Sequence, residues 1–520
     1  MSVEEKTFRG RPEAWLAHLR RTEDWTRRLF SDADFLRRLA PYVESLGVDP
    51  ERGLTACRKA AEALFGKDAF ESALAGGKPF RARCERWLSP LEPLARPAPN
   101  ETATALKTAA AILYLLARVV DPRRAPKRRE RAAWLFDQSY DTAEDQEFLA
   151  FHRYFKTRDD VVYNCNDPRG AKFGLLQAAG KSPVAHRWRV PARRKTAELV
   201  RLGRLAWLCM NDERTPLAFK LEALKLFRDR LRLESLLDTI PCERFLRVRS
   251  DYEASHPLAT ALCEARRGKH VGFSSGSYYR TPVYDVIDYH EYGLLGRGFL
   301  DEIYWDAWPK TTRYAVLGPF AADLDAEPVP FDGRRPVIGV FPTSHDDRFL
   351  LQEPFFKEFL AAVVALAEDV GGSLLFKDKG HRLYDNLDAI TTACKSRVPF
   401  EVSYADAWRG CRPRSAPQAL KACDLAVVMS VSTMAWEALA LGRKVVVFEH
   451  PLWKHPFEET APEAVVRDAR TLKIAARRLL ALSDAQYESL TAPLIERWGK
   501  LGDGTLVGSF VQELEAPARR

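Results

Sequence analysis

CDLAVVMSVSTMAWEALALGRKVVVFEHP, residues 423–451, is the stretch whose reading decides the fold. Leu425–Met429 and Lys444–Phe448 are near-continuous apolar runs rich in valine, the pattern of strands covered on both faces of a parallel sheet. Between them lie a hydroxyl-bearing turn (Ser430, Ser432, Thr433), a short helix from Met434 to Leu441 and a glycine stop at Gly442. Strand, turn, helix and strand make one βαβ unit. Unpaired backbone N–H groups and the dipole at such a helix start attract an anion. The expectation is that this turn holds a nucleotide phosphate.

Working outward, the second half of the chain repeats the pattern. Strands are expected at Val337–Phe341, Ser373–Phe376 and Phe400–Ser403, with helices at Glu353–Asp369 and Pro417–Ala422. Helices close the chain at 469–482, at 484–501 with a break at Pro493, and at 506–514. Ligands of open α/β sheets gather at the carboxyl ends of the strands, so the residues delivered there are the candidates. Thr343 and Ser344 follow the first of these strands, and either cap the next helix or bind. Lys379, His381 and Arg382 place three cationic or protonatable groups within four residues at a strand end, which favours phosphate over a plain solvated turn. Ser432 or Thr433 caps its helix whether or not a ligand binds. Glu437, one turn after Thr433, faces the same side. There it accepts hydrogen bonds from a ribose or, without any ligand, stabilises the helix dipole.

Toward the N-terminus, Ala322–Pro336 is polar with three prolines and reads as a linker. Residues 131–330 alternate strands (Asp160–Asn164, Phe245–Val248, His270–Phe273, Glu302–Trp305, Tyr314–Leu317) with helices (Phe173–Ala179, Pro257–Arg267), arguing for another parallel sheet. Gly180-Lys181-Ser182 is a near miss to a P-loop. Five residues rather than four separate it from Gly174, and the helix precedes it, so it is a helix stop. Residues 1–130 read as helical. Within them Ala105–Val120 is apolar over 16 residues but carries Lys107 and Arg118, and is expected to be a buried helix rather than a membrane span. A basic run follows (Arg123, Arg124, Lys127, Arg128, Arg129, Arg131), read either as a solvated helix start or as a segment resting on anionic lipid.

At 520 residues the chain exceeds a single core, and 46% hydrophobic with 29% charged residues is ordinary for a globular protein. The net charge of +9 suits an anionic partner. Dispersed arginines and the lack of a recognisable module argue against nucleic acid. Nine scattered cysteines, with no Cys/His cluster at zinc spacing, indicate a reducing cytoplasm. The first residues have no apolar core, so no signal peptide is expected. The expected location is cytoplasmic, with peripheral contact at the inner membrane as an option.

Ser-x-Ser-Thr-x-x-x-Glu-Ala-Leu-Ala-x-Gly-x-x-Val-Val, Ser430–Val446, resembles the donor-binding unit of GT-B glycosyltransferases, and most of all the bacterial surface-carbohydrate branch of Kdo, sialic acid and CDP-glycerol transferases. Lys379-Gly380-His381-Arg382 stands where that branch has Lys-Pro-His-Pro, with both prolines replaced. Ser274-Ser275-Gly276-Ser277 matches a Gln-His-Gly-Ser segment, and Val316-Leu317-Gly318-Pro319 a Gly-x-Pro before the linker.

The resemblance, which covers about residues 150–520, implies an α/β chain of two Rossmann-like domains, GT-B in type: an acceptor domain at 131–330 and a donor domain with C-terminal helices at 331–520; the helical pattern of 1–130 places a helical domain before them. It implies metal-independent transfer of a sugar from a nucleotide-sugar co-substrate with no further cofactor, the sugar an acidic one from CMP, onto a surface glycan or lipid-linked acceptor. Asp346-Asp347 leaves a metal as an option. Thr343, Ser344, Lys379, His381, Arg382, Ser430, Ser432, Thr433 and Glu437 are then the donor site. Ser275 replaces a histidine that relatives use as base. The base is therefore sought by proximity in sequence among Asp285, Asp288, His290 and Glu291, with Asp167 and Asp251 as alternatives. A sugar-nucleotide epimerase, a glycerophosphotransferase, and a degenerate carbohydrate-binding or scaffold protein are the rival readings.

Overall fold

The computed structural model describes residues 33–60, 99–123, 126–138, 146–165, 167–213, 217–247, 254–274, 288–300, 312–323, 333–342, 353–378, 386–404, 408–430, 432–450, 455–502 and 504–516, with isolated positions between them. Two wholly parallel sheets carry the chain. The first consists of β1 (Ala132–Gln138), β2 (Val161–Cys165), β3 (Cys242–Arg247), β4 (Lys269–Phe273), β5 (Glu291–Leu294) and β6 (Arg313–Val316), in the order β2-β1-β3-β4-β5-β6. The second consists of β7 (Val337–Phe341), β8 (Ser373–Lys377), β9 (Phe400–Tyr404), β10 (Arg412–Pro413), β11 (Leu425–Met429), β12 (Val445–Phe448) and β13 (Val465–Val466), in the order β10-β9-β8-β7-β11-β12-β13. The protein is thus an α/β chain with two parallel-sheet domains, as expected. In each sheet the winding reverses once, between β1 and β3 in the first and between β7 and β11 in the second. A crevice opens at the carboxyl ends of the strands where the winding reverses.

The apolar runs of the second half form strands because helices cover both faces. Every residue of β7, β11 and β12 is buried. The covering helices include α8 (Glu353–Val370), α10 (Ala416–Ala422), α11 (Met434–Ala440) and α12 (Ala469–Ala481). Gly442 ends α11's turn at φ +65°, a backbone state glycine enters freely. The helix from Asp484 to Trp498, α13, runs through Pro493 without the expected break.

The first sheet is less plain in sequence. β1, its inner strand, is AAWLFDQ after a charged run, and neither it nor β5 is expected from the sequence. The expected strand at Glu302–Trp305 lies outside the described residues. One face of this sheet packs Phe136, Leu246, Val271 and Phe273 against the helix Gln146–Phe155. The other packs Leu135 and Phe245 against α6 (Leu217–Thr239) and α7 (His256–Glu264). Gly180, at φ +73°, ends the helix Ala171–Ala178, and the Lys181 N–H returns to the Leu176 carbonyl at 2.9 Å, so Gly180-Lys181-Ser182 is the helix stop it reads as.

Two features redraw the expected domains. The N-terminal helices, α1 (Ala33–Leu46), residues 50–60 and α2 (Pro99–Val120), share one core with α5 (Ala192–Asn211) and α6, both inserted between β2 and β3. They form a layer on the first α/β domain. The buried pair Glu198–Arg230, 3.0 Å at its longer contact, joins α5 to α6 within that layer. The last helix, α14 (Leu506–Glu515), leaves the second half and lays Phe510, Val511 and Leu514 on the first sheet. The Arg244 guanidinium donates to the Leu514 carbonyl at 2.6 Å, and the Trp134 indole donates to Glu515 at 2.8 Å.

Candidate functional site

At the carboxyl edge of the second sheet the apolar strands give way abruptly to polar groups. Ser430 follows β11 at φ +38°, the left-handed region that non-glycine residues seldom enter. Its N–H donates to the Phe448 carbonyl at 2.9 Å, and its hydroxyl donates to Glu449 Oε1 at 2.5 Å. The His450 N–H donates to the same oxygen at 2.8 Å. Glu449 is wholly buried, so these two donors hold its carboxylate at the end of β12.

Ser432, not Thr433, caps the following helix. Its hydroxyl accepts the Met434 N–H at 3.3 Å, whereas the Thr433 side chain makes no cap bond and its carbonyl accepts from Glu437 at 3.0 Å. Glu437, on α11, is buried. Asp378 and Asn386, both buried, meet after β8 at 3.3 Å. Thr343, Ser344, Lys379, His381 and Arg382 lie outside the described residues, as do Ser275 and Asp285.

Two histidines here are neutral. Burial, with Arg467 nearby, pushes His450 down to about 4 and His455 down to about 3. The His450 ring meets Phe355 edge-on at 4.9 Å. His455 accepts the Phe457 N–H at 3.2 Å and packs on Trp436 at 5.2 Å. Trp436 also touches Phe299, which follows β5 of the first sheet, at 5.7 Å, and Leu294 and Leu295 share that core. The Gly502 N–H donates to the Ala440 carbonyl at 2.9 Å. The carboxyl end of β5 therefore abuts α11, and the two sheets meet beside the second crevice.

The first sheet has its own polar cluster where its winding reverses, and sequence reasoning missed it. Asp137, near the end of β1, is wholly buried and lies in register with Asn164 of β2 and Arg247 of β3. Asn164 donates to it at 2.7 Å, while Arg232 of α6 and Arg247 approach it at 3.5 and 3.7 Å. The His186 N–H donates to Asn164 Oδ1 at 3.1 Å, and its ring bonds Ser235 at 3.0 Å. Burial lowers His186 to about 4, against the pull of Asp137. The signal was available, since Asp137 ends an apolar run, but only once 132–138 is read as a strand.

The expected base residues are corrected in their placement. Asp288 and His290 stand at the far end of the connection that leaves β4, and Glu291 is the first residue of β5. They precede or begin β5 on the amino-terminal side of the sheet, the edge opposite the crevice. Glu291, buried, bonds Arg244 at 2.9 Å and Lys269 at 2.6 Å. Asp288 pairs with Arg52 of the helical layer, and its N–H donates to His256 at 3.0 Å. His290 accepts the His270 N–H at 2.9 Å, and burial lowers its basicity. Asp167 begins a turn whose Arg169 N–H it accepts at 2.9 Å, and Asp251 lies outside the described residues. Among the described residues no cluster of His, Cys, Asp and Glu could hold a metal ion, and no helix is long and apolar enough to cross a membrane.

No protein-family model matches the chain, and no curated protein matches it. Among solved structures it is similar to the UDP-GlcNAc 2-epimerase from Neisseria meningitidis bound to UDP-GlcNAc, at 10% identity and TM-score 0.46 over 74% of this chain and 100% of that one. It is similar to a glycosyltransferase from Rickettsia africae, at 9% identity and TM-score 0.41 over 75% and 100%, and to Acinetobacter baumannii MurG, at 8% identity and TM-score 0.39 over 75% and 100%. At such scores the likeness is coarse and carries nothing about chemistry.

Proposed function

We propose that the chain is a glycosyltransferase that takes a sugar from a nucleotide donor seated at the carboxyl edge of the second sheet. One observation carries this reading: Ser430, Glu449 and His450 are hydrogen-bonded together at the carboxyl ends of the apolar strands β11 and β12, with Glu437 buried on the helix between those strands. Buried carboxylates accept from the hydroxyls of a ribose or sugar, and a neutral imidazole either donates or accepts. Lys379, His381 and Arg382 take the role of stabilising the phosphate leaving group, where preorganised donors meet developing negative charge. Arg232 and Arg247, beside Asp137, are the basic groups at the reversal point of the first sheet. The base role passes to Asp285 or Asp137, since Asp288, His290 and Glu291 stand on the other edge. A base must come within hydrogen-bond reach of the acceptor hydroxyl. The finer reading, an acidic sugar carried by CMP in a surface-glycan pathway, rests on the resemblance of Ser430–Val446.

A thermal-shift screen with CMP, CDP, UDP and GDP tests the donor site. A ligand at a hundred times its Kd stabilises the native state by about 2.7 kcal/mol. Glu437→Ala and His381→Ala are expected to abolish the shift. No shift with any nucleotide sinks the donor assignment, and a shift that survives both substitutions moves the site. Product analysis with a nucleotide sugar separates transfer from epimerisation.

A further inference from the structure

The helix α2 is apolar on two sides. Leu115 and Val119 face inward and join the core with α5 and α6. On the outer side Leu106 is 69% exposed and Leu113 67%, with Tyr114, Leu116 and Val120 beside them. This overturns the expectation of a simply buried helix. The neighbouring α5 adds Val200, Trp207 and Met210, each at least 60% exposed. Eight of the ten large apolar side chains that stand exposed among the described residues thus belong to two adjacent helices. Among the described side chains, charge is nearly absent from α2's outer face. Arg118 turns to stack on Trp188 at 4.4 Å and bonds its carbonyl, which leaves Lys107. Beyond α2, past the buried Asp121, Lys127, Arg128 and Arg129 stand exposed before β1.

Soluble monomers seldom leave so much apolar surface together. Leucines flanked by a tyrosine and a tryptophan, with a cationic border, have the chemistry of a surface that enters the boundary between headgroups and acyl chains. We infer that the outer faces of α2 and α5 dock on an anionic lipid bilayer, with Lys127, Arg128 and Arg129 against the headgroups. A two-fold pairing of chains through the same face would bring two cationic segments together, so the charge favours lipid over a second copy. The inference stands on surface chemistry alone and does not depend on the nucleotide site.

The test is co-sedimentation of the full chain with vesicles of phosphatidylcholine alone and of phosphatidylcholine with phosphatidylglycerol. Binding is expected only to the anionic vesicles. Leu106→Gln with Leu113→Gln, and separately Lys127→Ser with Arg128→Ser and Arg129→Ser, should each weaken it at least about ten-fold, as should raised salt. Failure to sediment, or sedimentation unaffected by both variants, overturns the inference. In vesicle-free solution the glutamine variant should keep the wild-type melting midpoint and sedimentation coefficient. A lower midpoint would mean that another segment of this chain covers the face. A dimer that dissociates would mean that a second copy does. Either result also overturns it.

Discussion

Replacing Ser430 by alanine and by glycine separates two effects that this position combines. The hydroxyl donates to the buried Glu449 carboxylate at 2.5 Å, while the backbone sits at φ +38°. A hydrogen bond to a charged group contributes about 1.5–3 kcal/mol. Both substitutions lose that bond, while the His450 N–H still donates to Glu449. A left-handed backbone costs a non-glycine residue roughly 1 kcal/mol, which glycine regains. Ser430→Ala is therefore expected to lose about 2 kcal/mol and Ser430→Gly about 1. In a domain of this size each kcal/mol moves the midpoint by roughly 2–4 °C, so alanine should melt about 4–8 °C below wild type and glycine about half as far. Urea denaturation of both variants, with and without the nucleotide that shifts wild type, measures the energies and the ligand response together. Alanine as stable as wild type, or more stable than glycine, would refute the account of Ser430 as a strained donor to Glu449.

Three further outcomes follow from the packing. Trp498 is fully buried between Phe299, at 5.5 Å, and the backbone at Gly296 and Gly298, where an added Cβ would lie 2.3 and 2.8 Å from it. Trp498→Ala should cost about 3–5 kcal/mol in urea denaturation; a loss below about 1 kcal/mol would show that this junction does not hold the two halves. Glu198→Ala strips Arg230, 1% exposed, of its main partner and should cost about 3–5 kcal/mol, while Glu198→Leu with Arg230→Met should recover much of it. Equal losses in the single and double variants would contradict that. His450, His455 and His186 are held neutral in the folded chain, with folded values near 4, 3 and 4. Their contribution is present above the unfolded value near 6.5 and lost as pH falls toward the folded values. His455 alone should cost about 2 kcal/mol between pH 6.5 and 5, and His455→Gln should flatten stability against pH over that range. An unchanged profile would show that the ring is not buried neutral.

The second half was legible because β11 and β12 are apolar on every residue, which leaves little else for LAVVM or VVVF to be. The first sheet was legible only in part: β2, β3, β4 and β6 fall where strands are expected, and β1 and β5 were missed. β1 begins with two alanines after a basic run, and β5 is four residues long and opens on a glutamate that packing, not sequence, turns inward. Missing β5 displaced the base candidates by a whole sheet edge, because residues before a strand and residues after one read alike in a linear chain. Asp137 and Arg247, 110 positions apart, meet only through strand register. For α2, period and composition describe an apolar helix but cannot say which side the core takes.

The helix that closes the chain carries a consequence for synthesis. Phe510, Val511 and Leu514 complete a face whose other residues, beginning with Trp134 and Phe136, are translated several hundred codons earlier. While the ribosome is still making the second half, that face stays uncovered, a state in which a nascent chain is open to misassembly and chaperone capture. Loss of even a short stretch at the carboxyl end should therefore damage the half made first, and late frameshifts should produce aggregates rather than a shortened working protein.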